Sequence, residues 1–246
     1  MDVLTLLGLV LGLTAIVGGA IAKGAGFMSL INGAAFLIVI VGTVAAILLH
    51  TPMRTFRKAF RILPWIVLPP RSRTEDLIRQ IVEWSNIARR QGLLGLEPEI
   101  PKTEDPITRK GLQMLVDGLE PEAIRAMLEI DLASQERSEL AAARVFESMG
   151  VYAPTLGIIG AVLGLMAVMQ NLADPTRLGP GIAAAFTATV YGIASANLFF
   201  LPVAAKLKGI IASRVAEHEL MIEGLIAIAQ GENPRNIEAK LSGFAH

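Results

Sequence analysis

The chain has 246 residues and a formal net charge of zero at neutral pH, and 53% of its residues are hydrophobic. Its mean hydropathy of +0.55 argues against a purely soluble protein, and the balanced charge gives no general attraction to nucleic acid. Because the chain has no cysteine, it forms no disulfides and has no thiolate chemistry. These properties indicate a membrane protein.

Four segments without a charged residue are long enough to cross a bilayer, which takes about 20 helical residues. They are residues 3–22, 28–49, 148–173 and 178–205. We expect the first to be a true span rather than a cleaved signal peptide, because Met1-Asp2 provides no basic leader. The sequence therefore predicts an all-α membrane protein with four transmembrane helices plus a cytoplasmic helical domain.

Basic residues follow the second segment without any acidic residue among them. These are Arg54, Arg57, Lys58, Arg61, Arg71 and Arg73. By the positive-inside rule they place the end of the second span in the cytoplasm. Both termini should then be cytoplasmic, and the connections at 23–27 and 174–177 should lie on the periplasmic side of the inner membrane.

The remaining chain is predicted to be helical and polar. An amphipathic stretch at 52–68 should lie at the membrane surface, and Pro69-Pro70 begins the polar middle. We expect helices starting near Thr74, Ile107 and Pro121, the last continuing into the third span, and a final short helix after Asn233. The predicted domains are 1–49 and 148–205 as transmembrane hairpins, 50–147 as the cytoplasmic helical domain, and 206–246 as cytoplasmic C-terminal helices.

The sequence offers little for catalysis. His50, His218 and His246 are far apart and match no metal-ligand spacing, and there is no phosphate-binding glycine loop or nucleophile elbow. We therefore predict neither an enzyme nor a metal or cofactor site.

No Asp, Glu or His lies within the four spans, although proton carriers generally place such a group there. Hydroxyl groups such as those of Thr187 and Thr189 can line an ion pathway but do not titrate near neutral pH. If ions move, the acidic group should come from another polypeptide. A transporter that works alone is therefore disfavoured.

Several polar or small residues have two interpretations. Gly157, Gly160 and Gly164 with Pro154 either pack helices or form part of a pathway. The Thr187 hydroxyl either lines that pathway or simply bonds its own helix. In ARRQGLLGLEPE, Arg89, Arg90, Glu97 and Glu99 are either a solvated surface or a docking surface for a charged partner.

Five ordered segments carry a resemblance that covers nearly the whole chain. They read ARRQGLLGLE, MLVDGLEPE, YAPTLGIIGAVLGLMAVMQNLADP, GPGIAAAFTATVYGIASANLFFLPVAAKL and GLIAIAQGENPRNIEAKL. Together they resemble the A subunit of the bacterial flagellar motor stator, the MotA/PomA family. Energisers of outer-membrane transport of the ExbB/TolQ type are the closest alternative, but they have three spans. A purely structural scaffold would need neither the Thr189 and Pro202 combination nor a charged loop.

The resemblance implies a homopentameric ring around a dimer of a B subunit, whose single membrane helix carries an essential Asp and whose periplasmic domain anchors to peptidoglycan. It implies that ion flow turns the ring against the rotor switch protein. Thr189 matches the pathway threonine, and Pro154 and Pro202 match the paired membrane prolines. Arg89, Arg90, Glu97 and, less closely, Glu99 match the rotor-facing charges.

The resemblance also bears on the transported ion. Sodium-type relatives carry a second threonine after the IG of the third span, and here Ala161 follows Ile159-Gly160. We therefore predict proton transport, although Thr155 and Thr187 are additional hydroxyls and the wording of several segments is closer to the sodium-type PomA branch. Motility should then be lost when a protonophore is added and should not depend on the external sodium concentration.

Overall fold

The structure is a computed structural model that describes residues 3–24, 26–70, 74–170, 172 and 175–243. Every regular element within these ranges is helical, which confirms the predicted fold class. Arg71, Arg73, His246 and residues 173–174 of the predicted outer connection lie outside the described residues, as does Ala25 in the first connection.

Nine α-helices are described in this part of the chain. They are α1 (Val3–Ala22), α2 (Gly33–His50), α3 (Met53–Ile62), α4 (Thr74–Gln91), α5 (Pro106–Val116), α6 (Pro121–Met169), α7 (Pro175–Ser195), α8 (Leu201–Ala229) and α9 (Pro234–Ser242). Short 3-10 helices occupy Phe27–Leu30, Leu63–Ile66 and Leu93–Glu99. A π-helical turn lies inside α2 at Leu37–Val41, and another joins α7 to α8 at Ala196–Phe200.

Four helical segments are long and apolar enough to cross a membrane, as predicted. They belong to α1, to α2, to α6 and to α7 with its continuation α8. None of the most apolar stretch of α1 is buried within the chain, and Leu4 and Leu11 are largely exposed. Such a surface needs lipid or another chain to cover it.

The third and second spans differ from the predicted bounds. Helix α6 runs without a break from Pro121 and ends at Met169, before the predicted end at 173. The second span begins at Gly33 rather than at 28, because Asn32 caps it: the Asn32 Oδ1 accepts the N–H of Ala35 at 2.9 Å. An N-cap residue is non-helical, and hydropathy does not detect that requirement.

The chain forms two compact units. The membrane unit comprises residues 1–69 and 139–209, and the polar unit comprises 70–138 and 210–246. Helices α6 and α8 each contribute residues to both units.

The polar unit is built around an apolar core. Helix α9 packs on α4, and the 3-10 helix Leu93–Glu99 packs on both α4 and α5. The fully or nearly fully buried side chains include Ile81, Trp84, Leu96, Leu112, Leu115, Ile124, Leu128, Leu225, Ile237 and Leu241. Burying side chains of this size is worth about 1.5–3 kcal/mol each, so this unit has a substantial core of its own.

A histidine and an aspartate connect α8 to the start of α5 inside the polar unit. Asp105 caps α5, and its Oδ2 accepts both the N–H and the hydroxyl of Thr108 at 2.8 Å. Its Oδ1 lies 3.0 Å from the Nε2 of His218, whose Nδ1 lies 2.8 Å from the carbonyl oxygen of Arg214. Both ring nitrogens of His218 therefore face acceptors, which favours the doubly protonated ring.

The same geometry shifts both acid–base equilibria. Burial alone would lower the pKa of His218, but the hydrogen bond and charge of Asp105 outweigh burial and raise that pKa above 6.5. Burial would likewise raise the pKa of Asp105, but the bonds from His218 and Thr108 hold it well below its usual range. The contact is therefore an ion pair at pH values below the raised pKa of His218.

This ion pair predicts lower stability of the polar unit in alkali. A histidine with a raised pKa stabilises fully below its unfolded pKa of about 6.5, and the contribution is lost as pH rises through the folded value. The full chain in detergent should therefore melt at a lower temperature at about pH 9 than at about pH 6. His218→Gln should flatten this dependence, and so should Asp105→Asn, which can retain the helix cap. An unchanged slope in both variants would contradict the assignment.

Candidate functional site

The third and fourth spans meet along an interface of small residues in the membrane unit. Gly157, Gly160 and Gly164 of α6 face Ala185, Ala188 and Gly192 of α7. A Cβ added at Gly160 would lie 2.7 Å from the Ala188 Cβ, and one at Gly164 would lie 3.0 Å from the Ala185 Cα. The helices can come this close only because these positions lack larger side chains, so the glycines do pack these two helices together.

Gly192 marks the tightest described approach of α7 to α6 backbone. A Cβ at this position would lie 2.5 Å from the carbonyl oxygen of Ala153 and 3.1 Å from the Cα of Pro154. On the facing helix, a Cβ at Gly157 would lie 3.0 Å from the Ala188 carbonyl oxygen and 3.4 Å from the Thr189 Cα. The interface therefore places the backbones of Pro154 and Thr189 beside the same pair of glycines.

The three predicted pathway threonines differ in how their hydroxyls are used. Thr187 is buried and donates to the Ala183 carbonyl at 2.9 Å, as the helix-internal alternative foresaw. Thr155 is exposed and donates to the Tyr152 carbonyl at 2.8 Å. The half-buried Thr189 makes no hydrogen bond through its hydroxyl to any residue that the structure describes.

Ala161 is half-buried on α6, four residues after Gly157, and contributes no polar atom beyond its backbone. The part of this span from Gly157 to Gly164 therefore has no side-chain oxygen. A cation passing here would depend on Thr189, Thr155 or groups from another chain for ligands.

The two predicted prolines lie in different helical surroundings. Pro154 is inside α6, whose α-helical pattern continues through it. Pro202 is exposed and directly follows the π-helical turn Ala196–Phe200, where the N–H of Leu201 bonds the carbonyl of Ala196. Because proline removes one N–H and crowds the preceding turn, a π turn before Pro202 is the expected local response.

Two further polar side chains of the fourth span bond carbonyl groups one turn earlier in the same span. The Ser195 hydroxyl donates to the Gly192 carbonyl at 3.2 Å, and the Asn197 amide donates to the Ile193 carbonyl at 2.9 Å. The hydrogen-bond donors of these two side chains therefore find acceptors within the same membrane segment.

Sequence reasoning missed the role of Tyr191. Its hydroxyl donates to the Leu30 carbonyl at 2.6 Å and accepts the N–H of Asn32 at 3.3 Å. It therefore holds the turn that leads into α2, where Asn32 is the helix cap. A tyrosine within a span signals such a need because its hydroxyl requires a partner there, but the sequence does not name the partner.

The charged stretch lies at the end of α4 and in the 3-10 helix Leu93–Glu99 of the polar unit. Arg89, Arg90 and Glu97 are exposed and form no ion pair with a residue that the structure describes. Glu99 is partly buried and pairs with Lys102 at 2.6 Å, so it is less available to a partner. Gly92 separates the two elements with a φ of 75°, a value that favours glycine.

A cleft of about 240 Å³ adjoins Arg89. Its walls come from the end of α4, the start of the following 3-10 helix, and the end of α8 with the turn after it. They include Ser85, Leu93, Ile228, Gly231 and Glu232. The charged stretch is thus an exposed surface with a cleft beside it. Within the described residues, no group of three His, Asp or Glu side chains is arranged to hold a metal ion.

Comparison with known proteins places these features in a family. Residues 99–220 match the MotA/TolQ/ExbB proton channel family. The chain is 38% identical to motility protein A of Bacillus subtilis over 98% of its own length and 90% of that protein. It is 34% identical to chemotaxis protein PomA of Vibrio alginolyticus, covering 99% of this chain and 95% of that one.

A solved structure extends this likeness to three dimensions. The chain is similar to one in the structure of C. jejuni MotAB, with a TM-score of 0.94 and 35% identity. The similarity covers 99% of this chain and 96% of that one. It therefore includes both the four spans and the polar unit.

Proposed function

Because the chain belongs to the MotA/TolQ/ExbB proton channel family, we propose that it is the A subunit of a bacterial flagellar stator. With a B subunit it forms an ion channel that converts ion-motive force into torque on the rotor. The full-length likeness to MotAB carries this proposal. The four spans favour it over an ExbB/TolQ-type energiser, which has three.

The uncharged spans define what the B subunit must supply. No acidic group lies in the four predicted spans, so a B-subunit helix with an intramembrane Asp provides the group that takes up the ion. Exposed apolar side chains on α6 and α7, such as Ile158, Val162 and Phe186, offer surface for that helix, for neighbouring subunits and for lipid. We propose a homopentameric ring of this chain around a B dimer.

The charge pattern supports an orientation in the inner membrane. The basic residues after α2 lie on the cytoplasmic side, and so do both termini and the polar unit. The polar unit is then on the side where a rotor switch protein would be reached. Pro202, after its π turn, is proposed as the point where α7 and α8 flex during rotation, with Pro154 as its counterpart on α6.

A proton is the proposed ion. Ala161 removes an oxygen that a sodium shell would use, and Thr187 is buried with its hydroxyl bonded to its own helix. A bare cation depends on several oxygen ligands, whereas a proton can move along water and a single hydroxyl. Thr155 remains exposed, so the test of the ion has to include sodium.

Reconstitution of the full chain tests this function. Vesicles with the chain alone should show no cation flux above empty vesicles, whereas co-reconstitution with the B subunit should produce proton flux that external sodium does not change. Conduction by the chain alone would favour a self-sufficient transporter. Flux that requires sodium would overturn the proposed ion while leaving the stator assignment in place.

Charge reversal tests the docking surface of the polar unit. Arg89→Glu and Glu97→Lys should each reduce swimming speed strongly, because both side chains are exposed and unpaired among the described residues. Membrane levels and B-subunit co-purification should not change. Arg79→Glu on the same helix is the control, since its exposed pair with Asp76 contributes little. Normal swimming of both docking variants would show that the charged stretch is only solvated.

A further inference from the structure

Helix α3 presents three different faces. Ala59 and Ile62 are buried within the membrane unit, and Met53 and Phe60 are exposed apolar side chains. Arg54, Arg57 and Arg61 recur at spacings of three and four residues, so they share one face, and all three are exposed. The helix thus carries an exposed apolar edge next to a row of arginines.

The apolar edge is held in place by the rest of the unit. The rings of Phe56 and Phe60 lie 4.9 Å apart, and the Phe60 ring lies 5.8 Å from that of Phe146 on α6. The Phe60 ring thus packs against other rings on one side, while the rest of its surface is exposed. This orientation of α3 fixes where the arginine row points.

The position of α3 places this row at a membrane boundary. Helix α2, a spanning helix, ends at His50, and α3 begins at Met53 after only Thr51 and Pro52. A helix that follows a span so closely and has an apolar edge beside a basic row is typical of one that lies in the interface plane.

The arginines have no anionic partner among the residues that the structure describes. No acidic residue occurs between His50 and Glu75 in the sequence. None of Arg54, Arg57 and Arg61 forms an ion pair with a residue in the described part of the chain. A guanidinium binds phosphate through two parallel hydrogen bonds, which makes arginine well suited to a phosphodiester headgroup.

We propose that α3 is a binding site for anionic phospholipid, with Arg54, Arg57 and Arg61 on the headgroup phosphates and Met53 and Phe60 among the upper acyl chains. The exposed apolar edge is what selects a lipid over free phosphate, which would meet only the arginines. The site requires α3 to lie at the membrane surface but does not require a B subunit or a rotor. Its failure is therefore distinguishable from failure of the stator function.

Lipid retained by the full chain provides the test. The purified chain is equilibrated in detergent with equal amounts of phosphatidylglycerol and phosphatidylcholine, washed, and its bound lipid quantified by mass spectrometry. Attraction of the size usual for one cation at an anionic surface corresponds to about a five-fold preference. The wild type should therefore retain phosphatidylglycerol in at least about five-fold excess.

Matched variants separate charge at α3 from charge in general. The triple variant Arg54→Gln, Arg57→Gln, Arg61→Gln should lose the excess, and the corresponding lysine triple should keep most of it. The control Arg79→Gln, Lys102→Gln, Arg235→Gln removes three exposed cations of the polar unit and should keep the wild-type excess. Helical circular dichroism and a single elution peak establish that each variant is folded.

Three outcomes would overturn the proposal. One is an equal retention of both lipids by the wild type, and another is an excess that survives in the glutamine triple. The third is displacement of the bound lipid by glycerol phosphate at the same concentration, which would show that the headgroup alone is recognised.

Discussion

Thr189→Val is expected to lower ion flux through the chain and its B subunit by about ten-fold or more, without loss of assembly. Of the hydroxyls proposed to line the pathway, that of Thr189 bonds no described residue, so it is available to water or an ion. Valine has nearly the same shape as threonine but lacks the hydroxyl. Water or an ion at this position then loses a partner, which costs about 1–3 kcal/mol. Proton flux into vesicles and swimming speed in soft agar both measure this.

Thr187→Val is the matched control for this experiment. It lies two residues away on the same helix, but its hydroxyl is buried and bonded to the Ala183 carbonyl. It should reduce flux much less, because a hydroxyl bonded within its own helix contributes little to the fold. Its proton is already donated to that helix and is not available to the pathway. Equal effects of the two substitutions would mean that neither hydroxyl has a distinct place in conduction.

Gly192→Ala is expected to disrupt the interface between the third and fourth spans. The added Cβ would lie 2.5 Å from the Ala153 carbonyl oxygen and 3.0 Å from the Gly157 Cα, and both are backbone atoms that no rotamer change can move. Overpacking of this kind costs about 1–3 kcal/mol. The melting temperature of the detergent-solubilised chain should fall by about 5 °C, with a strong loss of motility.

Gly8→Ala makes the same chemical change in the first span. Nothing lies within 4 Å of a Cβ at Gly8, and alanine is the better helix former. This variant should melt at or slightly above the wild-type temperature. If Gly192→Ala melted no lower than Gly8→Ala, the two spans would have room that the structure does not show.

Local signals were sufficient for much of the helical layout. Pro121 begins α6 and Asn233 caps α9, accepting the N–H of Arg235 at 3.1 Å, because fixed φ and a side-chain acceptor act within one turn. The predicted start of the second span at 28 was wrong, because that prediction used hydropathy and overlooked the cap residue of the helix. Hydropathy counts Met28 and Leu30 as membrane residues, although they belong to a 3-10 turn.

The candidate site was predicted less completely than the helices. Gly157, Gly160 and Gly164 were recognisable as a close-packing motif because their spacing alone puts them on one helix face. Their partners Ala185, Ala188 and Gly192 depend on how α7 is rotated against α6. The contact of Tyr191 with Leu30 joins residues 161 positions apart, and no local pattern predicts such a pair.

Four apolar segments without Asp, Glu, His, Lys or Arg were enough to predict a multi-pass membrane chain, because bilayer thickness and the cost of burying charge act on composition directly. The three threonines look alike in one dimension. Their difference arises only when neighbouring helices bury Thr187 and leave the hydroxyl of Thr189 without a described partner. Burial and hydrogen bonding depend on what lies across an interface, so they follow from packing rather than from residue type.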